Sequence, residues 1–390
     1  MTTNLFGALN QDFPFMTEEH EMLRTTIRRF VEDHVLPNGE AWEEAGFVPR
    51  DILRKMGELG LLGMRYSAQH GGSEQNVLFN VVLAEELGRS TYGGFAVTVL
   101  VHTDMASPHL YHAGSPSQLD HYMPDIIAGR KIAAVAMTEA GAGSDLAGMT
   151  TTARRDGDSW VLNGSKMFIT NGVYGDLYFV AAKTGEPGRN RDISMFIVEK
   201  GTPGFSVSPP LKKTGWLSSD TAELSFQDCR IPADRLLGGE GRGFYALVRN
   251  LQNERLVLAA QALGEAAKAV ELTLQWVKER NAFGKTLWDM QAIRLRLSQR
   301  ASEIASARAF LYNVAWRDTQ GQNLAKEVSM LKALCGTLVN QTMFDCVQFH
   351  GGMGFMRQTP VERMSRDARV QAIGGGATEV MLEEVAKRLF

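Results

Sequence analysis

The sequence predicts an α+β protein with an N-terminal helical domain, a middle antiparallel β domain and a C-terminal helical bundle. Apolar residues recur at helical spacing in the first third of the chain, give way to short strand-like segments, and then return at helical spacing in longer runs. The 390 residues also exceed the size that one hydrophobic core usually serves. We therefore place three domains at residues 1–131, 132–240 and 241–390.

The first domain opens with a helix predicted over residues 17–36. Thr17 is its expected N-cap, acidic residues occupy the first turn, and Pro37 ends it. Further helices with one apolar face are predicted at 49–59, 76–87, 93–112 and 117–128.

The middle domain is predicted from short segments between Gly, Asp, Asn and Pro residues. Asp156-Gly-Asp158 and Asn163-Gly164 are typical of turns between antiparallel strands. The predicted strands are 132–137, 150–154, 160–162, 177–181, 193–198, 205–207 and 222–226.

The third domain is predicted to contain helices at about 242–280, 286–319 and 323–350, followed by shorter ones starting at Pro360 and Thr378. At 1.5 Å per residue the long helices reach roughly 40 to 60 Å, so they can pack as an antiparallel bundle.

Composition excludes several classes of protein. The formal net charge is −3 and the basic residues are scattered, which is not typical of proteins that bind nucleic acid or an anionic membrane. Cys229, Cys335 and Cys346 lack metal-site spacing and suit a reducing compartment. Pro108 separates His102 from His109 and His112, so we expect no metal site. The N-terminus resembles no targeting sequence and no stretch of 18 uncharged apolar residues occurs, so we expect a soluble, cytoplasmic protein.

Glu254 occupies an unusual position on the first long helix. Phe244, Leu247, Leu251 and Leu258 lie on one apolar face, and their spacing puts Glu254 on that same face. Burial there would raise the pKa of the carboxyl group and make it a candidate proton acceptor. The alternative is a charged patch turned to solvent, and periodicity alone favours that alternative.

Five short motifs surround this helix in sequence. Each has an ordinary structural interpretation as a turn, a strand end or a helix cap, although the last one, three glycines before a helix that Thr378 would cap, is also suited to binding a phosphate. The motifs are Met137-Thr-Glu-Ala-Gly-Ala-Gly-Ser-Asp145, Phe168-Ile-Thr-Asn-Gly172, Arg280-Asn-Ala-Phe-Gly-Lys285, Gln348-Phe-His-Gly-Gly-Met-Gly354 and Gly374-Gly-Gly-Ala-Thr-Glu379.

Together the five motifs resemble those of the acyl-CoA dehydrogenase family, in the family's order and spacing and over essentially the whole chain. The resemblance implies a C-terminal four-helix bundle, FAD as cofactor, an acyl-CoA substrate, and a homotetramer built as a dimer of dimers. It also implies that electrons leave to an electron-transfer flavoprotein.

The resemblance also implies roles for single residues. Met137, Thr138 and Ser144 would line the flavin and the start of the acyl-CoA, and Phe168 and Thr170 would flank the isoalloxazine. Contacts to the FAD of a neighbouring subunit would come from Arg280, Phe283, Gln291, Gln348 and Gly352. Thr378 and Glu379 would contact the FAD of their own subunit, with Arg255 near the CoA and Gly374 and Gly376 beside the reacting carbons.

One departure from the common family pattern concerns the catalytic base. The commonest pattern has a glutamate at position 375, where this chain has Gly375. In the isovaleryl-CoA and long-chain branches the glutamate lies instead in Glu-Arg-Leu-Val-Leu-Ala, which matches Glu254 to Ala259 here. The resemblance therefore implies that Glu254 removes the α-proton, while the backbone N–H of Gly375 and a ribityl hydroxyl polarise the thioester carbonyl. Hydride would pass from Cβ to flavin N5, giving a trans-2-enoyl-CoA.

The expected substrate follows from Gly374, Gly375 and Gly376. Their missing side chains would leave room for a methyl group on Cβ, which favours a branched, medium-length acyl-CoA of the citronellyl type. The alternatives are isovaleryl-CoA, a straight long-chain acyl-CoA, a flavin oxidase or monooxygenase on the same fold, and a non-catalytic protein that kept the fold.

Overall fold

In the computed structural model, which describes residues 13–185 and 193–389, the N-terminal domain is helical, as predicted. A stretch of 39–45 that was not predicted to be helical forms a short additional helix. The helices are α1 (Glu18–Phe30), α2 (Gly39–Ala45), α3 (Arg50–Glu58), α4 (Val77–Gly88), α5 (Gly93–Leu100), α6 (Ser107–Ala113) and α7 (Pro116–Ile127).

Two of the predicted helices are interrupted by π-helical turns. The predicted helix 17–36 is α1 followed by a π-turn at Val31–Val35, and the predicted helix 93–112 is α5, a π-turn at Val101–Ala106, and then α6. Pro108 stands at the beginning of α6, where a missing N–H group costs little. The extra residue in a π-turn leaves the apolar pattern almost unbroken, so the helical periodicity of the sequence predicts one continuous helix there.

The β domain is confirmed, but its main sheet is mixed rather than purely antiparallel. Strand β1 pairs with β4 in parallel because the β2–β3 hairpin lies between them in the chain and brings β4 back alongside β1. The order is β6-β7-β3-β2-β4-β5-β8, with β1 beside β4. The strands are β1 (Ala133–Ala136), β2 (Thr152–Asp156), β3 (Ser159–Thr170), β4 (Leu177–Lys183), β5 (Ile193–Glu199), β6 (Phe205–Val207), β7 (Thr221–Pro232) and β8 (Leu236–Leu237).

The C-terminal domain is helical, as predicted, and includes a small hairpin. Its elements are α8 (Gly243–Glu279), β9 (Asn281–Ala282), β10 (Lys285–Thr286), α9 (Gln291–Thr319), α10 (Ala325–His350), α11 (Pro360–Ala368) and α12 (Thr378–Ala386). Gly284 forms the β9–β10 turn together with Phe283, both at positive φ. The N-cap of α12 is Ala377, not Thr378, whose hydroxyl donates to the carbonyl of Ala372 at 3.4 Å.

Buried carboxylates tie the domains together. Glu85 on α4 is fully buried and accepts hydrogen bonds from Arg24 on α1 and from Arg308 and Tyr312 on α9. Burial alone would raise the pKa of Glu85, but the two guanidinium groups hold it well below its usual range. Asp367 accepts from the backbone N–H groups of Gly93 on α5 and Trp216 in the β domain, so one carboxylate contacts all three domains.

Candidate active site

Glu254 lies on α8 and is buried, with only 5% of its surface exposed. Leu247 and Leu258 on the same face are buried as well, whereas the side chain of Phe244 lies outside the described part of the structure. The solvent-facing interpretation of this segment is therefore wrong. Burial raises the pKa of Glu254 to about 7, so the carboxyl group can give or take a proton near neutral pH.

The described contacts of Glu254 offset only part of the cost of burying its negative charge. Asn250, one helical turn earlier, donates its side-chain N–H to Glu254 Oε1 at 2.9 Å and also to the backbone carbonyl of Asp104 in the π-turn. His109 Nε2 lies 3.7 Å from the same carboxylate oxygen, but burial lowers the pKa of His109 to about 4. The imidazole is therefore neutral at pH 7, and this contact is not an ion pair. The adjacent Arg255 is half-buried and only partly offsets the effect of burial on the pKa of Glu254.

The glycine-rich segment before α12 faces α8 one turn beyond Glu254. A Cβ atom on Gly375 would lie 2.2 Å from Leu258 Cδ1, and the backbone there has φ of +64°. Among the described residues the N–H of Gly375 donates to no other protein group, so it is available to a ligand. Gly374 and Gly376 flank it, and Gly376 also has positive φ.

This contact changes the steric argument about the substrate. Leu258 fills the volume into which a side chain at position 375 would point. The expectation that the glycine leaves this volume open is therefore wrong at the Cβ position of residue 375.

The first two motifs lie together at the edge of the β domain. The carbonyl of Thr138 accepts from the N–H of Met167, and Lys166 Nζ donates to the carbonyl of Met137 at 3.1 Å. Buried Glu139 fixes this turn. Burial would raise the pKa of Glu139, but hydrogen bonds from Lys166, Thr151 and Thr150 hold it at about 2. Met137 and Thr138 are half-buried, while Ser144 is exposed at the other end of the turn.

Phe168 and Thr170 lie at the end of β3, as predicted. Phe168 is 66% exposed and has φ of +61°, an unfavourable conformation for an aromatic residue that often marks a functional site. Thr170 is the last residue of β3 and is half-buried. The next residue, Asn171, donates to the carbonyl of Thr98 on α5. The segment from α5 through its π-turn thus contacts both the end of β3 and the part of α8 that carries Glu254.

The remaining predicted cofactor residues fall into two separate groups. Thr378 and Glu379 begin α12, beside Gly375 and therefore close to Leu258. Arg280 follows the end of α8, twenty-two residues beyond Leu258, which is about 33 Å at 1.5 Å per residue. The two groups therefore lie far apart within a single chain.

The distal group has the features of a dinucleotide-binding surface. Phe283 at the hairpin tip is 93% exposed, and Arg280, Gln291 and Gln348 are exposed as well. A Cβ on Gly352 would meet nothing within 4 Å, so the backbone there is open to close approach. An arginine can bind phosphate oxygens in pairs, and an exposed aromatic ring can stack on a base. These residues therefore fit FAD.

Three residues that contact this site were not assigned to it from the sequence. Asn250 could have been found, because it lies four residues before Glu254 on the same helix face. His109 could not, since 145 residues separate it from Glu254 in the chain, and Lys332 likewise meets the glycine segment only through folding. His102 bonds to the backbone of Ile126 and Ala133, which is a structural role.

The described residues contain neither a metal-site cluster nor a membrane-spanning helix. Within residues 13–185 and 193–389, no group of three or more His, Cys, Asp or Glu side chains has the arrangement of a metal site. None of the described helices has the length and apolarity needed to cross a membrane.

Comparison with known proteins links all three parts of the chain to one family. Models of the acyl-CoA dehydrogenase N-terminal, middle and C-terminal domains match residues 17–130, 134–229 and 241–390. The long-chain specific acyl-CoA dehydrogenase of Sus scrofa mitochondria is 40% identical over 96% of this chain and 87% of the relative.

Solved structures agree. The acyl-CoA dehydrogenase of Geobacillus kaustophilus superposes with a TM-score of 0.93 at 40% identity, over 96% of this chain and 99% of that one. An acyl-CoA dehydrogenase from Bacillus anthracis, solved in complex with FAD, has a TM-score of 0.91 at 32% identity, over 97% of this chain and 67% of that one.

The Asn250 contact yields a test of the buried carboxyl group. We expect Glu254 to titrate near pH 7. The hydrogen bond from Asn250 stabilises the carboxylate form, so Asn250→Leu, which removes it, should raise the pKa of Glu254 further. Difference infrared spectroscopy across pH 5 to 9 would follow the carboxyl band, identified by its absence in Glu254→Gln. Gln252→Leu, on the same helix, should leave the band unchanged. A Glu254 pKa near that of a free glutamate would contradict the assignment.

Proposed function

The chain belongs to the acyl-CoA dehydrogenase family, a family of FAD-dependent oxidoreductases, and we propose that Glu254 is the base that removes the α-proton of its acyl-CoA substrate. The observation that carries this proposal is the burial of Glu254 beside a glycine segment with a free N–H group. A general base is most effective when its pKa lies near the working pH, and burial brings the pKa of Glu254 to about 7.

The substrate carbonyl needs its own stabilisation. Removing an α-proton moves negative charge onto the thioester oxygen, and this is feasible only when fixed donors meet that charge in a site shielded from water. We assign the backbone N–H of Gly375 to this role, together with a ribityl hydroxyl of FAD. Ser144 and Arg255 are proposed to contact the acyl-CoA, and Gly374 and Gly376 to border the reacting carbons.

FAD supplies the hydride acceptor when it is bound. We propose that each FAD lies between the β domain, which contributes Met137, Thr138, Phe168 and Thr170, and the start of α12, with Thr378 and Glu379. The distal group, Arg280, Phe283, Gln291, Gln348 and Gly352, would hold the FAD of a neighbouring subunit in a homotetramer. The length of α8 between the two groups supports this division.

The physiological electron acceptor is proposed to be an electron-transfer flavoprotein. An oxidase or monooxygenase on the same fold would instead react with oxygen. After anaerobic reduction by acyl-CoA, slow reoxidation in air and fast reoxidation by an electron-transfer flavoprotein would support the dehydrogenase. A flavin that no acyl-CoA reduces would indicate a non-catalytic protein.

For the acyl group we propose a branched, medium-length chain of the citronellyl type, because a Cβ on Gly374 would meet no atom closer than 3.5 Å, so this glycine still leaves room beside the reacting carbons. A straight long chain is the second candidate, because Leu258 occupies the volume that Gly375 would otherwise leave open. The name of the Sus scrofa relative supports the second candidate as well. Isovaleryl-CoA is a shorter alternative of the branched class.

The first prediction of this proposal concerns the base. Glu254→Gln keeps the size and polarity of the side chain but cannot accept a proton at neutral pH, so anaerobic flavin reduction should slow by roughly 10²- to 10⁴-fold. FAD content and acyl-CoA affinity should be retained. In the unmodified protein the rate should rise with pH through about 7, as Glu254 loses its proton. Near-normal reduction in Glu254→Gln, measured by stopped-flow absorbance, would refute the assignment.

The second prediction concerns the shared cofactor. Arg280→Ala should weaken both FAD retention and subunit assembly, since the guanidinium is proposed to bind the FAD of a neighbouring subunit. Gel filtration with absorbance detection of flavin would measure both properties together. Arg54→Ala, an exposed arginine on α3 paired with Asp51, is the matched control and should change neither. Equally tight FAD binding by a dilute monomer would rule out the division of the site.

The third prediction separates the two acyl classes. In Leu258→Ala the ratio of kcat/KM for citronellyl-CoA to that for a straight acyl-CoA of equal length should rise by about tenfold or more, the usual effect of admitting one methyl group. Leu263→Ala, also a buried α8 leucine, should leave this ratio unchanged. In the unmodified protein, a higher kcat/KM on straight C4 acyl-CoA than on every branched one would exclude the branched class, and a maximum on straight long chains would select the second candidate.

A further inference from the structure

Lys332 on α10 is almost completely buried beneath the glycine segment that carries Gly375. Only 2% of its surface is exposed. Its ammonium group donates to the backbone carbonyls of Gln371 at 2.7 Å and Gly376 at 3.2 Å. These two carbonyls lie on either side of Gly375 in the chain. One side chain therefore holds both ends of the segment.

The end of the Lys332 side chain also lies close to Gly375 itself. The Cε atom of Lys332 is 3.8 Å from the position that a Cβ on Gly375 would take. Gly375 has positive φ, which glycine adopts as readily as negative φ, so the backbone alone does not fix the conformation of this segment and contacts from its neighbours must do so. The two hydrogen bonds from Lys332 do this.

Among the described residues, no carboxylate forms an ion pair with the buried ammonium group. Its charged and titratable neighbours are Cys335 on its own helix and Arg255 on α8. Glu265 on α8 reaches the segment only through the side chain of Gln371, and burial raises the pKa of Glu265 to about 8, so this group is largely neutral at pH 7. A buried cation usually needs a carboxylate partner to offset the cost of removing its charge from water. The ammonium group of Lys332 has backbone carbonyls instead, which compensate its charge only weakly.

We propose that Lys332 is a positioning residue for the reaction assigned above: it fixes the N–H of Gly375 toward the thioester oxygen, and its charge favours the negative charge that develops on this oxygen. The inference rests on the proposed function. The atoms that react are those of the substrate, Glu254 and FAD, and Lys332 touches none of them. It acts through the backbone of the glycine segment and through its electrostatic field.

If Lys332 only anchored the glycine segment, its substitutions would have a different effect. A lysine that only anchored the segment could be replaced by any residue that keeps the segment folded, without a specific effect on charge development. The charge and the hydrogen bonds can be separated by substitution. Lys332→Arg keeps the charge, Lys332→Gln keeps an N–H donor group without the charge, and Lys332→Met removes both.

The first experiment compares anaerobic flavin reduction in these variants at saturating acyl-CoA. We expect Lys332→Gln and Lys332→Met to reduce flavin roughly 10- to 100-fold more slowly, in the range for loss of electrostatic stabilisation, with FAD content and the Kd for acyl-CoA little changed. Lys332→Arg should recover part of the rate. A rate for Lys332→Gln within twofold of the unmodified protein would overturn the inference.

The second experiment measures the charge effect directly. A 3-thiaacyl-CoA has an acidic α-carbon and cannot be dehydrogenated, so its ionisation on the enzyme can be followed by the long-wavelength absorbance that the anion gives beside oxidised flavin. Lys332→Gln should raise the pKa of the bound analogue. A slower rate with an unchanged analogue pKa would overturn the inference in favour of a structural tie.

The pH dependence gives a third measurement. Burial lowers the pKa of Lys332 to about 8, so the cation is present below pH 8 and is lost as the pH rises through that value. The rate should therefore fall above about pH 8, and this fall should be absent in Lys332→Gln. Lys213→Met is the matched control: Lys213 is also buried with a pKa of about 8, but it bonds to Ser219 and Thr221 in the β domain. The control should keep both the rate and the high-pH fall.

The outcomes distinguish this inference from the proposed function. If no acyl-CoA reduces the flavin of the unmodified protein, or if Glu254→Gln is fully active, the proposed function fails whatever Lys332 does. If the unmodified protein is active, Glu254→Gln is not, and the Lys332 variants are normal in rate, analogue pKa and pH profile, the proposed function stands and the role of Lys332 is refuted.

Discussion

The burial of the Glu254 carboxylate, which forms no ion pair with a charged side chain among the described residues, is the constraint on which the rest of the site depends. Its hydrogen bond from Asn250 offsets only part of the cost of removing the charge from water. The remaining cost appears as a pKa of about 7 instead of the usual value for a glutamate. The arrangement requires α8 to pass between the other elements, so that the π-turn containing Asp104 covers one side of the carboxylate and the glycine segment approaches one turn further along.

Other buried glutamates show that the partners decide the outcome, not burial itself. Glu85 is as buried as Glu254, but Arg24 and Arg308 hold its pKa well below the usual range, and its role is to join α1, α4 and α9. Glu139 pairs with Lys166 and fixes the turn after β1. Breaking such a buried pair typically costs about 3 to 5 kcal/mol, because a charge is left unpaired. These two carboxylates stabilise the fold, whereas Glu254 is left free to exchange a proton.

The sequence predicted the architecture well because helical periodicity persists over long distances. The long helices α8, α9 and α10 were predicted within about five residues, whereas the π-turns at 31–35 and 101–106 and the parallel β1–β4 pair were not. The π-turns leave the apolar pattern almost intact, and the β1–β4 pairing depends on how segments distant in the chain meet. At the site, periodicity placed Glu254 on an apolar face but by itself favoured a charged patch turned to solvent. The family resemblance decided that question, and His109 and Lys332 required the folded chain.

The position of Glu254 on α8 and the glycine at residue 375 depend on each other. A side chain at residue 375 would start in an unfavourable backbone conformation, with its Cβ at the place now taken by Leu258. Leu258 packs there because residue 375 is glycine, and Glu254 lies one turn before Leu258 on the same face of α8. Moving the carboxylate to residue 375 would therefore require a change at Leu258 as well as the loss of Glu254. It would also bring a second negative charge near the N–H group assigned to the substrate oxygen, and close to Lys332. In this chain, a glutamate on α8 and a bare backbone at residue 375 form one arrangement: the proposed base would approach the substrate from the helix, and the proposed backbone donor would approach it from the glycine segment.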